Sequence, residues 1–105
     1  MALNYIFCSD AFLLSLNVEY LNHNTLTDVI TFDNSDDSKG IQGEIYISID
    51  RIRENAKKYR VPFERELHRV MIHGLLHLLG YADKTPLQKK MMRKKESTYL
   101  SLKEF

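Results

Sequence analysis

The order of apolar and polar residues predicts three strands in the first half of the chain. Apolar and aromatic residues fill 3–8, and β-branched or aromatic residues dominate 27–32, so both segments are predicted strands. Polar and apolar residues alternate over 43–49, which is typical of a strand with one buried face. A polar, turn-rich loop at 33–40 separates the last two strands. We therefore expect 27–32 and 43–49 to form an antiparallel hairpin.

Two helices are predicted between and after these strands. Apolar residues at helical spacing predict the first helix over about 10–21, with Ser9 or Asp10 as its N-cap. The second is expected over about 51–60, with Asp50 as its N-cap. Both helices carry apolar residues on one side, so each is expected to pack against the sheet or a neighbouring helix.

Helical periodicity continues through the second half of the chain. Apolar residues at intervals of three or four predict a central helix over about 63–79, and Gly80 is placed to end it. Thr85 begins a capping-box pattern, so a last helix is expected to run to about residue 102. With no repeat or linker between these elements, the pattern predicts a single α+β domain over 1–105.

Composition favours a small intracellular protein. The chain has 105 residues and 44% hydrophobic residues, enough for a modest core. Its single cysteine, Cys8, cannot form an internal disulfide, which fits a reducing cytoplasmic compartment, and we expect it to be a small buried hydrophobe. No apolar run approaches the roughly 18 residues of a membrane span, and the start lacks a signal-peptide pattern, so no membrane partner is expected.

Charge is divided unequally along the chain. Residues 1–50 carry one lysine and eight acidic residues, for a net charge of −7. Residues 51–105 carry 14 basic and six acidic residues, for a net charge of +8. This asymmetry favours a polyanion as partner of the basic half, and solvated helix faces are the alternative interpretation.

Two histidines on the central helix are candidate metal ligands. His73 and His77 have the i, i+4 spacing that places both imidazoles on one face. Gly74 occupies the position of the glutamate that a H-E-x-x-H protease needs, which disfavours proteolysis, and we expect it to let a strand approach the helix closely. Asp83 is the first side chain past the turn able to bind a metal, and three ligands would leave a fourth position open, as in catalytic zinc sites. Histidines that are merely hydrogen-bonded are the alternative, and no ligand role is expected for the remaining histidines, His23 and His68.

Longer motifs resemble a known family. The segment HGLLHLLGYADK at 73–84 resembles the H-G-x-L-H-L-x-G-Y-D-H signature of the YbeY family, the bacterial rRNA-maturation endoribonucleases. Upstream, Asn17 to Tyr20 and Thr27 to Phe32 resemble its N-x-x-Y and T-D-V-L-S-F block, and 43–48 resembles its G-D-I and I-S strand. Together these motifs cover about residues 4–83.

This resemblance implies a fold, a cofactor and an activity. It implies a small mixed β-sheet packed with helices and one zinc ion per chain, held by His73, His77 and Asp83. It implies cleavage of single-stranded RNA in ribosomal RNA maturation and ribosome quality control, with an rRNA precursor and the small ribosomal subunit as partners. Hydrolysis would rely on the metal and its water, with no protein base assigned. The alternative is a non-catalytic ribosome-assembly or RNA-binding factor with a structural metal.

Three features depart from the family pattern. Asp83 stands where the family has its third histidine and Ala82 where it has an aspartate, and the added negative charge should make the ion a weaker Lewis acid. Leu21 stands where the family commonly has an arginine, so a cationic contact to the phosphate would have to come from elsewhere. The family's first strand and helix have no counterpart before Met1, so the chain is expected to be N-terminally truncated.

Basic residues of the last helix are the candidate RNA contacts. They crowd about two turns of that helix, and one more lysine lies beside the proposed third metal ligand; the set is Lys84, Lys89, Lys90 and Arg93. We expect them to bind RNA phosphates. If they form only a solvated face, RNA would bind along the second helix instead, at Arg51, Arg53 and Lys57.

Overall fold

Three strands and four helices follow one another in the order that the sequence predicts. The computed structural model of the protein describes residues 2–36 and 40–102, so residues 37–39 of the predicted polar loop lie outside the described residues. The strands are β1 (Ala2–Cys8), β2 (Val29–Asp33) and β3 (Gln42–Ser48). The helices are α1 (Asp10–Leu21), α2 (Ile49–Tyr59), α3 (Phe63–Leu78) and α4 (Pro86–Ser101). The predicted α+β class is confirmed.

The sheet is mixed, with β3 in the centre. Its strand order is β1-β3-β2, β2 is antiparallel to β3 as predicted, and β1 is parallel to β3. Ile45 and Ile47 of β3 are fully buried on one face of the sheet, with α3 against it. Tyr46 points to the other face, where its ring centroid is 6.3 Å from that of Phe12 on α1. Helices therefore cover both faces of the sheet.

Of the predicted caps of the first two helices, one is confirmed and one is wrong. Ser9 is the N-cap of α1, as expected. The predicted cap of α2 is wrong, because Ser48, not Asp50, accepts the hydrogen bond from the backbone N–H of Arg51. Since β3 runs into α2 without a loop, the last strand residue caps the helix and Asp50 lies in its first turn. There Asp50 Oδ2 accepts a hydrogen bond from the backbone N–H of Asp10, which joins the starts of α1 and α2.

Close contact with the sheet fixes the position of α3. A Cβ added at Gly74 would lie 2.7 Å from Ile45 Cγ2, far inside van der Waals contact. This confirms that glycine at this position lets the strand layer approach the helix. Val70 and Leu78, one on each side of Gly74 along α3, join the isoleucines of β3 in the main hydrophobic cluster.

A second hydrophobic cluster holds α4 against α3. It is formed by two residues from each helix, namely Ile72, Leu76, Met92 and Leu100.

Cys8, expected to be buried, is only partly so, and its thiol lies 3.5 Å from the carbonyl oxygen of Ile47. Within residues 2–36 and 40–102, no helix has the length and apolar character of a membrane span.

Candidate metal centre

The two histidines of α3 converge as their spacing predicts. Their ring centroids are 4.6 Å apart, and the Nε2 atoms of His73 and His77 are separated by 3.0 Å. Both side chains are only partly buried, at 23% and 27% exposure, so the two nitrogens remain accessible from outside. This arrangement is that of two imidazoles directed at one point in space.

Asp83 completes the cluster from the loop between α3 and α4. The loop leaves α3 at Gly80, whose φ of +99° is a backbone conformation that favours glycine. It enters α4 through the predicted capping box, in which the Gln88 side chain accepts hydrogen bonds from the backbone N–H groups of Lys84 and Thr85. Fixed at both ends, the loop places Asp83 Oδ2 at 3.2 and 3.3 Å from the two histidine Nε2 atoms.

These three atoms suit a tetrahedral metal ion. A tetrahedron with metal–ligand bonds of about 2.0–2.1 Å has ligand atoms about 3.3 Å apart. The separations here are 3.0, 3.2 and 3.3 Å. Two imidazole nitrogens and one carboxylate oxygen are a donor set that zinc accepts, with the fourth position left for another ligand. Among the residues that the structure describes, this is the only cluster of three or more candidate ligands found.

Glu96 of α4 supports the cluster from behind, and the sequence analysis missed it. One of its carboxylate oxygens lies 2.6 Å from His73 Nδ1, and the other accepts a hydrogen bond of 3.0 Å from Arg69. Glu96 is 4% exposed, so this network is shielded from water. Its sequence signal was a carboxylate at helical spacing between the apolar residues Met92 and Leu100, which indicates a buried acid.

The hydrogen bonds of this network fix the orientation and tautomer of His73. Burial alone would raise the pKa of Glu96, but the hydrogen bonds from His73 and Arg69 hold it below its usual value. Since an ionised carboxylate can only accept, Glu96 holds a proton on His73 Nδ1, and in the neutral imidazole the lone pair lies on Nε2, facing Asp83. Burial lowers the pKa of His73, but the bond and charge of Glu96 outweigh burial and raise it overall.

Two cavities meet at the cluster. One, of about 320 Å³, lies on the helical side and is lined by Arg69, Lys89 and Arg93 as well as His73 and Asp83. The other, of about 420 Å³, lies along β2 and also includes His77. An extended polymer could therefore lie across the three ligands, with one of its segments in each cavity.

Comparison with known proteins shows the family of this chain. A family model described as Endoribonuclease YbeY matches residues 1–103. The chain belongs to the YbeY family. It is 60% identical over 98 residues to Endoribonuclease YbeY of Amoebophilus asiaticus, covering 93% of this chain and 67% of that protein. It is 54% identical over 105 residues to that of Cytophaga hutchinsonii, covering 100% of this chain and 73% of that protein.

A solved structure agrees with the fold. The solution structure of TM1509 from Thermotoga maritima is 34% identical, with a TM-score of 0.65, and the match covers 93% of this chain. This chain spans 65% of the length of that one.

Within the YbeY fold, the candidate RNA contacts separate into two groups. Lys89 and Arg93 line the helical cavity beside His73, whereas Lys84 and Lys90 are absent from the lining of both described cavities. Leu21 lines the cavity along β2, so the residue that replaces the family's arginine faces the cluster. The cations beside the cluster thus come from α3 and α4.

Asp28 is a second residue to which the sequence analysis gave no role. It belongs to the T-D-V segment that carried the YbeY resemblance, but no spacing pattern linked it to the histidines. It lines both cavities. Burial raises its pKa, and the charge of His73 only partly opposes this. Asp28 therefore keeps a proton to higher pH than an ordinary aspartate.

Proposed function

We propose that this protein is a zinc-dependent endoribonuclease that cleaves single-stranded RNA, with ribosomal RNA precursors on the small subunit as its cytoplasmic substrate. The observation that carries the proposal is the triangle of His73, His77 and Asp83 at the junction of two open cavities. Family membership supports the same activity, since its relatives are named endoribonucleases. An open ligand position beside a groove favours catalysis over a structural metal.

Different residues at the site have different proposed roles in this reaction. A divalent ion held by the three ligands would supply Lewis-acid chemistry to a phosphodiester. Glu96 and Arg69 hold the His73 ring in position and fix its tautomer. Lys89 and Arg93 attract and orient the RNA phosphates, in place of the arginine that Leu21 replaces. Asp28, with its raised pKa, is placed to hold a proton for the leaving oxygen.

Cleavage of RNA in the presence and absence of a chelator tests the function. We expect the zinc-loaded chain to cut an unstructured RNA, a chelator to abolish cutting, and added zinc to restore it. The same sequence in a duplex should resist cleavage, which gel electrophoresis of end-labelled RNA will measure. RNA binding without cleavage under all these conditions would instead support the assembly factor with a structural metal.

Salt dependence of RNA binding tests the proposed phosphate contacts. Each contact to a single strand adds about 0.7 to the slope of log affinity against log salt. Replacing Lys89 and Arg93 with alanine should therefore flatten the slope by about 1.4, and adding Lys90→Ala should bring the change to about 2. Zinc content should stay the same, because none of the three is a proposed ligand.

The control for this titration removes equal charge from α2. Arg53 and Lys57 are exposed and have only weak ion pairs, at 3.8 and 4.0 Å, with neighbours on the same helix. Their double replacement with alanine should change the slope by much less than the Lys89 and Arg93 pair does. A larger change from the α2 pair would place RNA along α2 and refute the proposed contacts.

A further inference from the structure

Glu66 is a buried carboxylate on α3 that the proposed function leaves without a role. It is 5% exposed and lines the helical cavity together with His73. It lies seven positions before His73, so the two are on the same face of the helix, about 10 Å apart along the axis. Acidic side chains are almost never this buried unless they are paired.

The Glu66 carboxylate nevertheless has no partner within the described part of the chain. Neither a hydrogen bond nor an ion pair forms between its oxygens and any residue of 2–36 or 40–102. The Arg69 guanidinium binds Glu96 and Ser97 instead, and that of Arg93 lies 5.9 Å from the centre of the Tyr59 ring. Burial and the nearby Asp28 carboxyl raise the pKa of Glu66, whereas the charges of Arg69 and Arg93 lower it. When ionised, this carboxylate offers two acceptor oxygens at the cavity to the hydrogen-bond donors of a ligand.

Two other residues give the cavity the character of a base-binding site. Asn55 of α2 is among the residues that line it, and a side-chain amide can donate two hydrogen bonds. Tyr59, one turn further along α2, also lines the cavity, and its aromatic ring is of the kind on which unpaired bases stack once the Lys58 and Arg93 cations over it move aside. The cavity of about 320 Å³ is at the lower end of the range for small-ligand sites. It therefore combines two acceptor oxygens, an amide and a flat ring beside the metal ligands.

We propose that this cavity is a guanine subsite, in which Glu66 accepts hydrogen bonds from the base N1–H and N2 amino groups while Asn55 donates to O6 and Tyr59 stacks. The subsite rests on the proposed function, because it would hold the base of a nucleotide whose phosphate lies at the metal centre.

Guanine is the base that fits an ionised carboxylate. It has two neighbouring N–H donors on one edge, one for each oxygen of Glu66. Adenine and cytosine place a ring nitrogen acceptor beside their amino group, and uracil flanks its single N–H with two carbonyls. Each of these would turn a lone pair toward one carboxylate oxygen, and a buried site of this kind rejects ligands that leave its groups unpaired.

Mononucleotide binding tests the subsite without requiring cleavage. Guanosine, inosine and adenosine 5′-monophosphates carry the same phosphate, so any binding to the metal or to the basic residues is common to all three. Inosine differs from guanosine only by lacking the N2 amino group. We expect the zinc-loaded chain to bind the guanosine nucleotide about 10-fold or more tightly than the other two, as the loss of a charge-assisted hydrogen bond predicts. Amide shifts in a nuclear magnetic resonance titration give the three dissociation constants.

A matched pair of variants assigns the preference to one residue. Glu66→Gln replaces one acceptor oxygen with an amino group, so the ratio of guanosine to inosine affinities should fall to about 1. Glu64→Gln removes the same charge from an exposed position on α3 and should keep the wild-type ratio.

Each outcome of these titrations decides the proposal. Equal affinities for guanosine and inosine nucleotides in the wild-type chain would overturn the subsite, whether or not the chain cleaves RNA and whether or not the variants fold. A guanosine preference that persists in Glu66→Gln would overturn the role of Glu66. A chain that fails to cleave RNA but prefers the guanosine nucleotide would keep the subsite and lose only the nuclease activity.

Discussion

Replacing His73 with alanine is expected to abolish stoichiometric zinc binding and RNA cleavage together. The substitution removes one of three ligand atoms that lie within 3.3 Å of one another, and it also removes the partner of Glu96. The two remaining ligands, His77 and Asp83, cannot hold an ion tightly when structural and catalytic sites use three or four. Elemental analysis after gel filtration should give about one zinc per wild-type chain and almost none for the variant.

Two further variants define what this result means. His68→Ala removes a histidine of the same helix that is outside the cluster, so zinc content should not change. Asp83→His replaces a carboxylate with the imidazole that the YbeY signature has at this position, and should also keep one zinc per chain. Full zinc occupancy in His73→Ala would show that the ligand assignment is wrong.

Glu96→Ala is expected to have the second large effect, on stability as well as on metal affinity. Loss of a carboxylate that orients a metal-binding histidine typically lowers metal affinity by 10–100-fold. The variant also leaves Arg69, whose side chain is 13% exposed, as a buried charge without its partner. Removing one member of a buried ion pair costs about 3–5 kcal/mol of unfolding free energy.

These two effects of Glu96 can be measured separately. Urea denaturation in excess chelator gives the stability of the metal-free chain, and competition with a coloured chelator gives zinc affinity. Glu96→Gln keeps an acceptor for His73 but no charge for Arg69, so it should fall between wild type and Glu96→Ala in both measurements. Ser97→Ala, which removes only the outer contact of Arg69, should have little effect on either. An unchanged metal-free stability in Glu96→Ala would show that the buried ion pair is not stabilising.

Local pattern was sufficient to predict the elements but not how all of them pair. The alternation in 43–49 and the polar loop before it were enough to predict the β2–β3 hairpin, because hairpin partners are neighbours in sequence. The parallel pairing of β1 with β3 joins residues about 40 positions apart, such as Tyr5 and Ile45. No local signal encodes such a pairing, and here only the family resemblance implied a mixed sheet.

The same distinction between local and distant contacts applies to the site. His73, His77 and Asp83 lie within one helix and its following loop, so spacing alone brought them together as candidates. Glu96 lies 23 residues from His73 and reaches it only because α4 packs against α3. Its role depends on tertiary packing, which explains why spacing rules could not assign it.

From the two separate hydrophobic clusters we expect two cooperative units that share α3. One unit contains the sheet, and the other consists of α4 packed on Ile72 and Leu76. Because proteins open in such units, we expect the smaller one to open at the lower free energy. Glu96 belongs to the smaller unit and His73 to the shared helix, so opening of α4 breaks the bond between them.

An ion bound by His73, His77 and Asp83 would therefore shift the equilibrium between the open and closed positions of α4, although none of the three ligands lies on that helix. An ion whose affinity falls 10–100-fold when Glu96 is withdrawn stabilises the closed arrangement by about 1.4–2.7 kcal/mol. Closure of α4 would then depend on the free zinc concentration around the protein. The α4 amide protons should therefore exchange with solvent more slowly as the zinc concentration rises. The basic residues of α4 would be held in place beside the metal centre only when zinc is bound.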